Sequence, residues 1–199
     1  MNREERIHLL KELRTHDVVG KFVILRPASI VYAEQIMELR NRPTNRYWFH
    51  QAYEITLEGQ RKWFASYEMK ENDIYWVVLD KEEKFIGTIR LYDIDLDGRV
   101  CTEGSYVIDE NVAGDGPYAV EAKMLALDVA FSELQIESMI NDNRADNKVI
   151  NNIDNQLGYD HGTIIQVRGV DFQHRILYVK DYLSHREVLN GLIDYWSER

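Results

Sequence analysis

At 199 residues the chain is long enough for one well-filled core and short for two. Hydrophobic residues at 45% and charged residues at 29%, with 11 Gly and 3 Pro, exclude a collagenous, low-complexity or disordered chain, and no apolar run approaches the roughly 18 residues of a membrane span. The net charge of -10 repels polyphosphate and argues against a general nucleic-acid binder, while a lone cysteine, no Asn-x-Ser/Thr site and the charged start Met1-Asn2-Arg3-Glu4-Glu5-Arg6 predict a cytoplasmic protein.

Ile7, Leu10 and Leu13 recur at helical spacing among charges and predict a short amphipathic helix, an appendage over residues 1–20 ahead of a main domain at 21–183. Residues 22–26 read as a strand stopped by Pro27. Ser29 then caps a helix with Ala33, Ile36 and Met37 inward, ending near Arg40. Residues 41–53 read as a loop rich in aromatic and basic groups, and Thr56 caps a second helix bearing Trp63, Phe64 and Tyr67. Two β-rich runs, 74–79 and 85–92, flank a charged turn, and Asp97-Gly98, a type I′ signal, leads into a third run ending at Ile108. Pro117 suits the first position of a helix whose inner face holds Ala119, Ala122, Leu125, Ala126 and Val129.

A strand at 136–140 follows, then a helix at 143–157 with Ile150, Ile153 and Leu157 inward and Gly158 placed to end it in the left-handed conformation. Strands at 163–167 and 175–182 and a C-terminal helix at 184–199 complete the order. The fold class is α/β: a mixed, mostly antiparallel sheet of about seven strands with helices on both faces and right-handed crossovers.

The segment from Glu103 to Pro117 is a strand feeding a glycine-containing loop that opens a helix. Free N–H groups and the positive end of the helix dipole make such a junction an anion cradle. It lacks the Gly-Lys-Ser/Thr of a Walker loop and the third glycine of a dinucleotide fingerprint, and Gly-x-Gly alone serves equally as a tight connection. The run Asn111-Val112-Ala113-Gly114-Asp115-Gly116, however, resembles the Gln/Arg-x-x-Gly-x-Gly/Ala signature of the GCN5-related N-acetyltransferases (GNAT). Residues 147–159 are similar to that family's Asn-x-x-Ala-x-x-x-Tyr-x-x-x-Gly-Phe, and the likeness extends over about 22–182.

The resemblance implies a GNAT fold with a splayed central strand pair, the one ending at Ile108 and the one at 136–140. Acetyl-CoA would lie in the gap, its pantetheine on the backbone of Tyr106, Val107 and Ile108. The pyrophosphate would sit on the turn of Asn111, Val112, Ala113, Gly114, Asp115, Gly116, Pro117 and Tyr118, with Asn147 touching CoA from the next helix. Asn111 replaces the usual Gln or Arg, and Asp154 stands where many members carry the tyrosine that protonates the departing thiolate. An acceptor ammonium must lose its proton before attack. Glu103, which looks like the family's glutamate, is the implied base, directly or through water, with a backbone N–H at Ser105 or Tyr106 stabilising the oxyanion. Apart from the family, Glu103 also fits a strand-surface pair with Arg90 or Arg99, Cys101 a buried small hydrophobe and Asp154 a polar helix position.

For the acceptor, Arg40-Asn41-Arg42-Pro43 followed by Trp48 and Ile55-Thr56, with Trp63 on the next helix, resembles the branch that acetylates nucleotide-linked amino sugars, which implies Arg40 and Arg42 pairing with a diphosphate and Trp48, Tyr53 or Tyr47 stacking on base or sugar. Arg46 to Phe49 with Tyr53-Glu54 also resembles polyamine acetyltransferases, and residues 20–27 the group that acetylates ribosomal-protein N-termini. Outside enzymology the fold would serve as a CoA-binding scaffold. The expected partner is a small-molecule amine, without nucleic acid, membrane or metal, and the terminal helices are able to support a homodimer. Residues 93–98 copy the first half of an EF-hand loop, but Gly104 fills the twelfth place and the flanks are β-runs, so they read as a hairpin turn.

Overall fold

The computed structural model describes residues 2–49, 51–112 and 116–198; of the expected site, Ala113, Gly114 and Asp115 lie outside the described residues. One mixed sheet carries the architecture. Its strands are β1 (Val18–Val19), β2 (Val23–Pro27), β3 (Ile74–Asp80), β4 (Phe85–Asp95), β5 (Val100–Ile108), β6 (Ser138–Arg144), β7 (Thr163–Val167) and β8 (Val170–Tyr178), in the order β1-β2-β3-β4-β5-β6-β8-β7. Every neighbouring pair is antiparallel except β5 and β6. The expected sheet gains an eighth strand because Val18 and Val19 pair with Leu25 and Ile24.

Two layers of helices cover it. α1 (Arg3–Leu13), α5 (Tyr118–Asp128), α6 (Lys148–Leu157) and α7 (Val179–Ser197) lie on one face, and α2 (Ala33–Asn41) and α4 (Leu57–Glu68) on the other, with α3 (Pro43–Trp48) between the last two in sequence. β3 shows why both faces exclude water. Ile74, Trp76 and Val78 join the first core and Tyr75, Val77 and Leu79 the second, since successive strand residues point to opposite sides. Leu10 and Leu13 of α1 and Tyr182, Leu189 and Ile193 of α7 enter the first core, so the N-terminal helix is packed rather than appended.

Several boundaries differ from expectation for local reasons. Ser29 makes no side-chain cap; a single 3-10 turn, Ile30–Tyr32, precedes α2, whose inner side holds Leu39 in place of Met37. Pro43 starts α3 inside the expected loop. Asp97 and Gly98 sit in a four-residue connection closed by Asp95, whose carboxylate accepts both their N–H groups, rather than in a two-residue turn. The helix expected from 143 begins at Lys148, because Asn143 and Arg144 still pair with Gln173 and Phe172 of β8. β8 ends at Tyr178, and residues 179–182 already belong to α7. Pro117 immediately precedes α5 instead of opening it, and α5 is buried beyond its alanine stripe, with Glu121, Lys123, Met124 and Leu127 inside. Thr56 caps α4 through the Gly59 N–H at 3.0 Å, and Gly158 ends α6 at φ 95°, as expected.

Candidate active site

β5 and β6 run parallel only from Val100/Ser138 to Glu103/Asn141. Beyond that point β6 continues along β8, while among the described residues Gly104 to Ile108 of β5 keep β4 as their only strand neighbour. The strands therefore part, and one edge of β5 is left without a ladder. At the same place β5 carries a bulge: Arg90 pairs with Gly104 and Thr88 with Val107, so β5 has one residue too many. Ser105 takes it up at φ 48°, its carbonyl fixed by the Thr88 hydroxyl at 2.7 Å.

Behind the parting, on the α5 face, lies a sealed ionic cluster. Lys123, with no exposed surface, pairs with Glu103 at 3.1 Å and with Asp154, and its ammonium lies 5.0 Å from the Tyr106 ring and 5.5 Å from that of Tyr159. The Tyr159 hydroxyl donates to Glu103 at 3.0 Å, and the Asn141 and Asn143 amides donate to Asp154 at 3.0 and 2.6 Å. Burial raises the Glu103 pKa against the pull of Lys123, whereas for Lys123 burial is outweighed by the two carboxylates and its pKa is raised. The expected pairing of Glu103 with Arg90 or Arg99 does not form. Arg90 grips Asp73 through two hydrogen bonds and Arg99 pairs with Glu137. Asp154, expected at a polar helix position, is fully buried and accepts three hydrogen bonds. Cys101 is buried beside Met139, its thiol pKa pushed up by burial.

The other face of the same strands opens into a cavity of about 600 Å³ between α2, α4 and the sheet. Arg40, Glu54, Trp63, Tyr75, Arg90 and Ser105 line it. Its floor is rigid: Trp63 stacks on Tyr67 at 5.3 Å, meets Tyr75 edge-on at 5.4 Å and faces the Arg90 guanidinium at 5.1 Å. Two polar atoms of residues in the wall lack partners among the described residues. The half-buried Arg40 guanidinium lies over Phe49 at 4.5 Å, its Nε without a hydrogen bond, and the hydroxyl of Tyr75 has none either.

Of the residues expected to hold the acceptor, Arg40 and Tyr53 line this cavity and Arg42 and Trp48 do not. Arg42 is held by Asp109 in a double hydrogen bond of 2.6 and 3.0 Å, which draws the Asp109 pKa down to about 2. Trp48 packs edge-on to Tyr47, whose hydroxyl bonds Asp146. Sequence reasoning missed Tyr75 and Arg90 as cavity residues. They are cross-strand partners on the outward face of the meander, so the alternation of β3 and β4 held the signal.

Asp109 also organises the turn before α5, accepting the backbone N–H of Asn111 at 3.0 Å and its side-chain amide at 2.8 Å. The Asn111 side chain and backbone N–H thus both serve the turn. Val112 N–H closes on the Asp109 carbonyl, Gly116 and Pro117 lead into Tyr118, and the Tyr106 hydroxyl reaches the Ala119 carbonyl at 2.8 Å. Asn147 caps α6 through the Ile150 N–H at 3.3 Å.

A family model described as an acetyltransferase (GNAT) domain matches residues 23–160. No curated protein matched the chain. Among solved structures, unliganded FdhC, a nucleotide-linked sugar GNAT, superposes with a TM-score of 0.76 at 19% identity, covering 89% of this chain and 98% of its own. Spermidine N-acetyltransferase from Vibrio cholerae, in complex with CoA and spermine, gives 0.74 at 18% identity over 82% and 99%. A GCN5-related N-acetyltransferase from Brucella melitensis gives 0.73 at 16% over 88% and 84%. The chain belongs to the GNAT family and is an N-acetyltransferase. Among the described residues no helix is long and apolar enough to cross a membrane.

Proposed function

We propose that the enzyme acetylates a primary amine of a nucleotide-linked amino sugar, with acetyl-CoA as donor. The observation that carries the acceptor class is Arg40: a half-buried guanidinium on the cavity wall with no carboxylate partner among the described residues. A diphosphate oxygen would give it charge-assisted hydrogen bonds, whereas a polyamine would set ammonium against an unneutralised cation. Trp63 adds apolar lining to the wall. The polyamine reading is favoured in turn by the net charge of -10 and by Glu54 on the same wall.

Bound acetyl-CoA supplies an activated acyl carbonyl. The fit of the chain to it rests on the bare edge of β5, whose Tyr106, Val107 and Ile108 backbone groups suit pantetheine amides. The turn from 111 to 118 would take the pyrophosphate; its Asn111 and Val112 N–H groups are engaged by Asp109, so among the described residues that contact falls to the N–H groups of Gly116 and Tyr118, and Asn147 at the start of α6 is assigned to CoA. The backbone N–H of Ser105 or Tyr106, at the bulge, is assigned to the oxyanion. For the amine proton two carboxylates stand on opposite sides of β5. Glu54 is on the cavity wall, ion-paired with Arg46 at 3.1 Å, and Glu103 is behind the strand and would act through water. Proximity to the acceptor favours Glu54, leaving Glu103 to hold the strand through Lys123.

Thiol release from acetyl-CoA with a panel of amines tests this. The expected outcome is a kcat/KM at least about tenfold higher for a nucleoside-diphosphate amino-hexose than for spermidine or an N-terminal peptide. Glu54→Gln is expected to flatten the pH profile of kcat, and Glu103→Gln to lower the melting temperature. The reverse pattern restores Glu103 as base, and preference for spermidine overturns the acceptor.

A further inference from the structure

We propose that Tyr75 determines acceptor specificity, its hydroxyl bonding an oxygen of the acceptor's sugar ring next to the reacting amine; this rests on reading the cavity as the acceptor site. Tyr75 is 2% exposed and sits at the floor, two strands from the bulge at Ser105, opposite Arg90 in the ladder. Its ring cannot turn away, being boxed by Trp63 at 5.4 Å and Tyr67 at 6.3 Å. The neighbouring Tyr67 shows how the protein uses a buried phenol structurally: its hydroxyl accepts the Tyr75 backbone N–H at 2.9 Å. The Tyr75 hydroxyl has no such employment among the described residues.

A phenylalanine would fill the same volume without the cost of a buried hydroxyl lacking a partner. What the hydroxyl adds is therefore directed at whatever enters the cavity. Arg40 Nε, a second unpartnered group lining that cavity, makes the same demand for oxygen atoms on the ligand. An acceptor with sugar oxygens meets both, whereas a polyamine ammonium can donate to the Tyr75 oxygen but offers nothing to Arg40 Nε.

The test is Tyr75→Phe, assayed with a UDP-linked amino-hexose and with its deoxy analogue lacking the hydroxyl beside the amine, alongside thermal melting. Melting at or above the native temperature is expected, with KM for acetyl-CoA within about twofold of native. The kcat/KM should fall at least about tenfold for the hexose and less than about twofold for the deoxy compound. An equal loss on both compounds, or no loss on either, overturns the assignment of Tyr75 while leaving the acceptor class intact. Native enzyme that acetylates spermidine and neither sugar overturns the acceptor class together with this inference.

Discussion

The two sides of β5 handle charged groups in different ways. Behind the strand, Lys123, Glu103, Asp154 and Tyr159 are buried together and answer one another, each charge partnered and tied to β6 through Asn141 and Asn143. In front of it, Arg40 and Tyr75 line a cavity with polar atoms that the protein itself leaves unanswered. A buried charge survives only when compensated, so the cluster is a joint that fixes where β5 and β6 separate. Unpartnered neutral atoms occur on both sides, Asn141 Oδ1 and Trp76 Nε1 behind the strand included, but in front they belong to residues that line a cavity a ligand can enter. The residues richest in charge are thus not the ones that face substrate.

Lys123→Met should break the contrast most severely. It leaves two buried carboxylates without their cation and should cost about 3–5 kcal/mol in chemical denaturation. Replacing Lys123, Glu103 and Asp154 together by Met, Gln and Asn should recover most of that loss. A single-variant cost under about 1 kcal/mol would mean the cluster is not sealed. On the cavity side, Arg40→Met should raise the acceptor KM roughly ten- to a hundredfold, the worth of a charge-assisted hydrogen bond, without lowering the melting temperature. A fall in stability instead would move Arg40 to the structural side.

The smallest effect concerns Asp109, the link between the turn before α5 and Arg42 at the start of α3. Its carboxyl, ordinarily near 3.8, is pulled down to about 2 by Arg42, so the ionised form stabilises the fold above the ordinary value. That contribution disappears as pH falls through about 4 toward 2. Native protein should therefore melt slightly above Asp109→Asn at neutral pH, by under about 1 kcal/mol, with the difference closing in that acid window. A difference that persists at pH of about 2 would contradict the pairing.

Local signals were legible and long-range ones were not. Thr56 as a cap, Gly158 as a left-handed stop and the meander of β3 to β5 each depend on a few adjacent residues, and each was readable in the sequence. The parting of β5 from β6 came only through the family likeness, since no spacing encodes where a ladder stops. Lys123 carried no signal in the sequence because its partner Asp154 is 31 positions away, and Arg42 looked free for phosphate because Asp109 is 67 away. α3 has six residues, too few for a periodic pattern to show. Arg175, expected to open a strand, is buried mid-strand, where its guanidinium gathers the Asn151, Tyr159 and Asp160 carbonyls around the end of α6.

The surplus residue in β5 gives the strand a change of phase. Up to it, odd positions such as Cys101 and Glu103 look toward α5; past it, even positions such as Tyr106 and Ile108 do. Deleting Ser105 would leave Tyr106 alone opposite Ile89 between the Gly104–Arg90 and Val107–Thr88 pairs, so the ladder would become regular, Tyr106 would keep facing α5, and only the bulge would be lost. The arrangement lets one strand obey two alternations, its stem packing on α5 through odd positions and its tip through even ones.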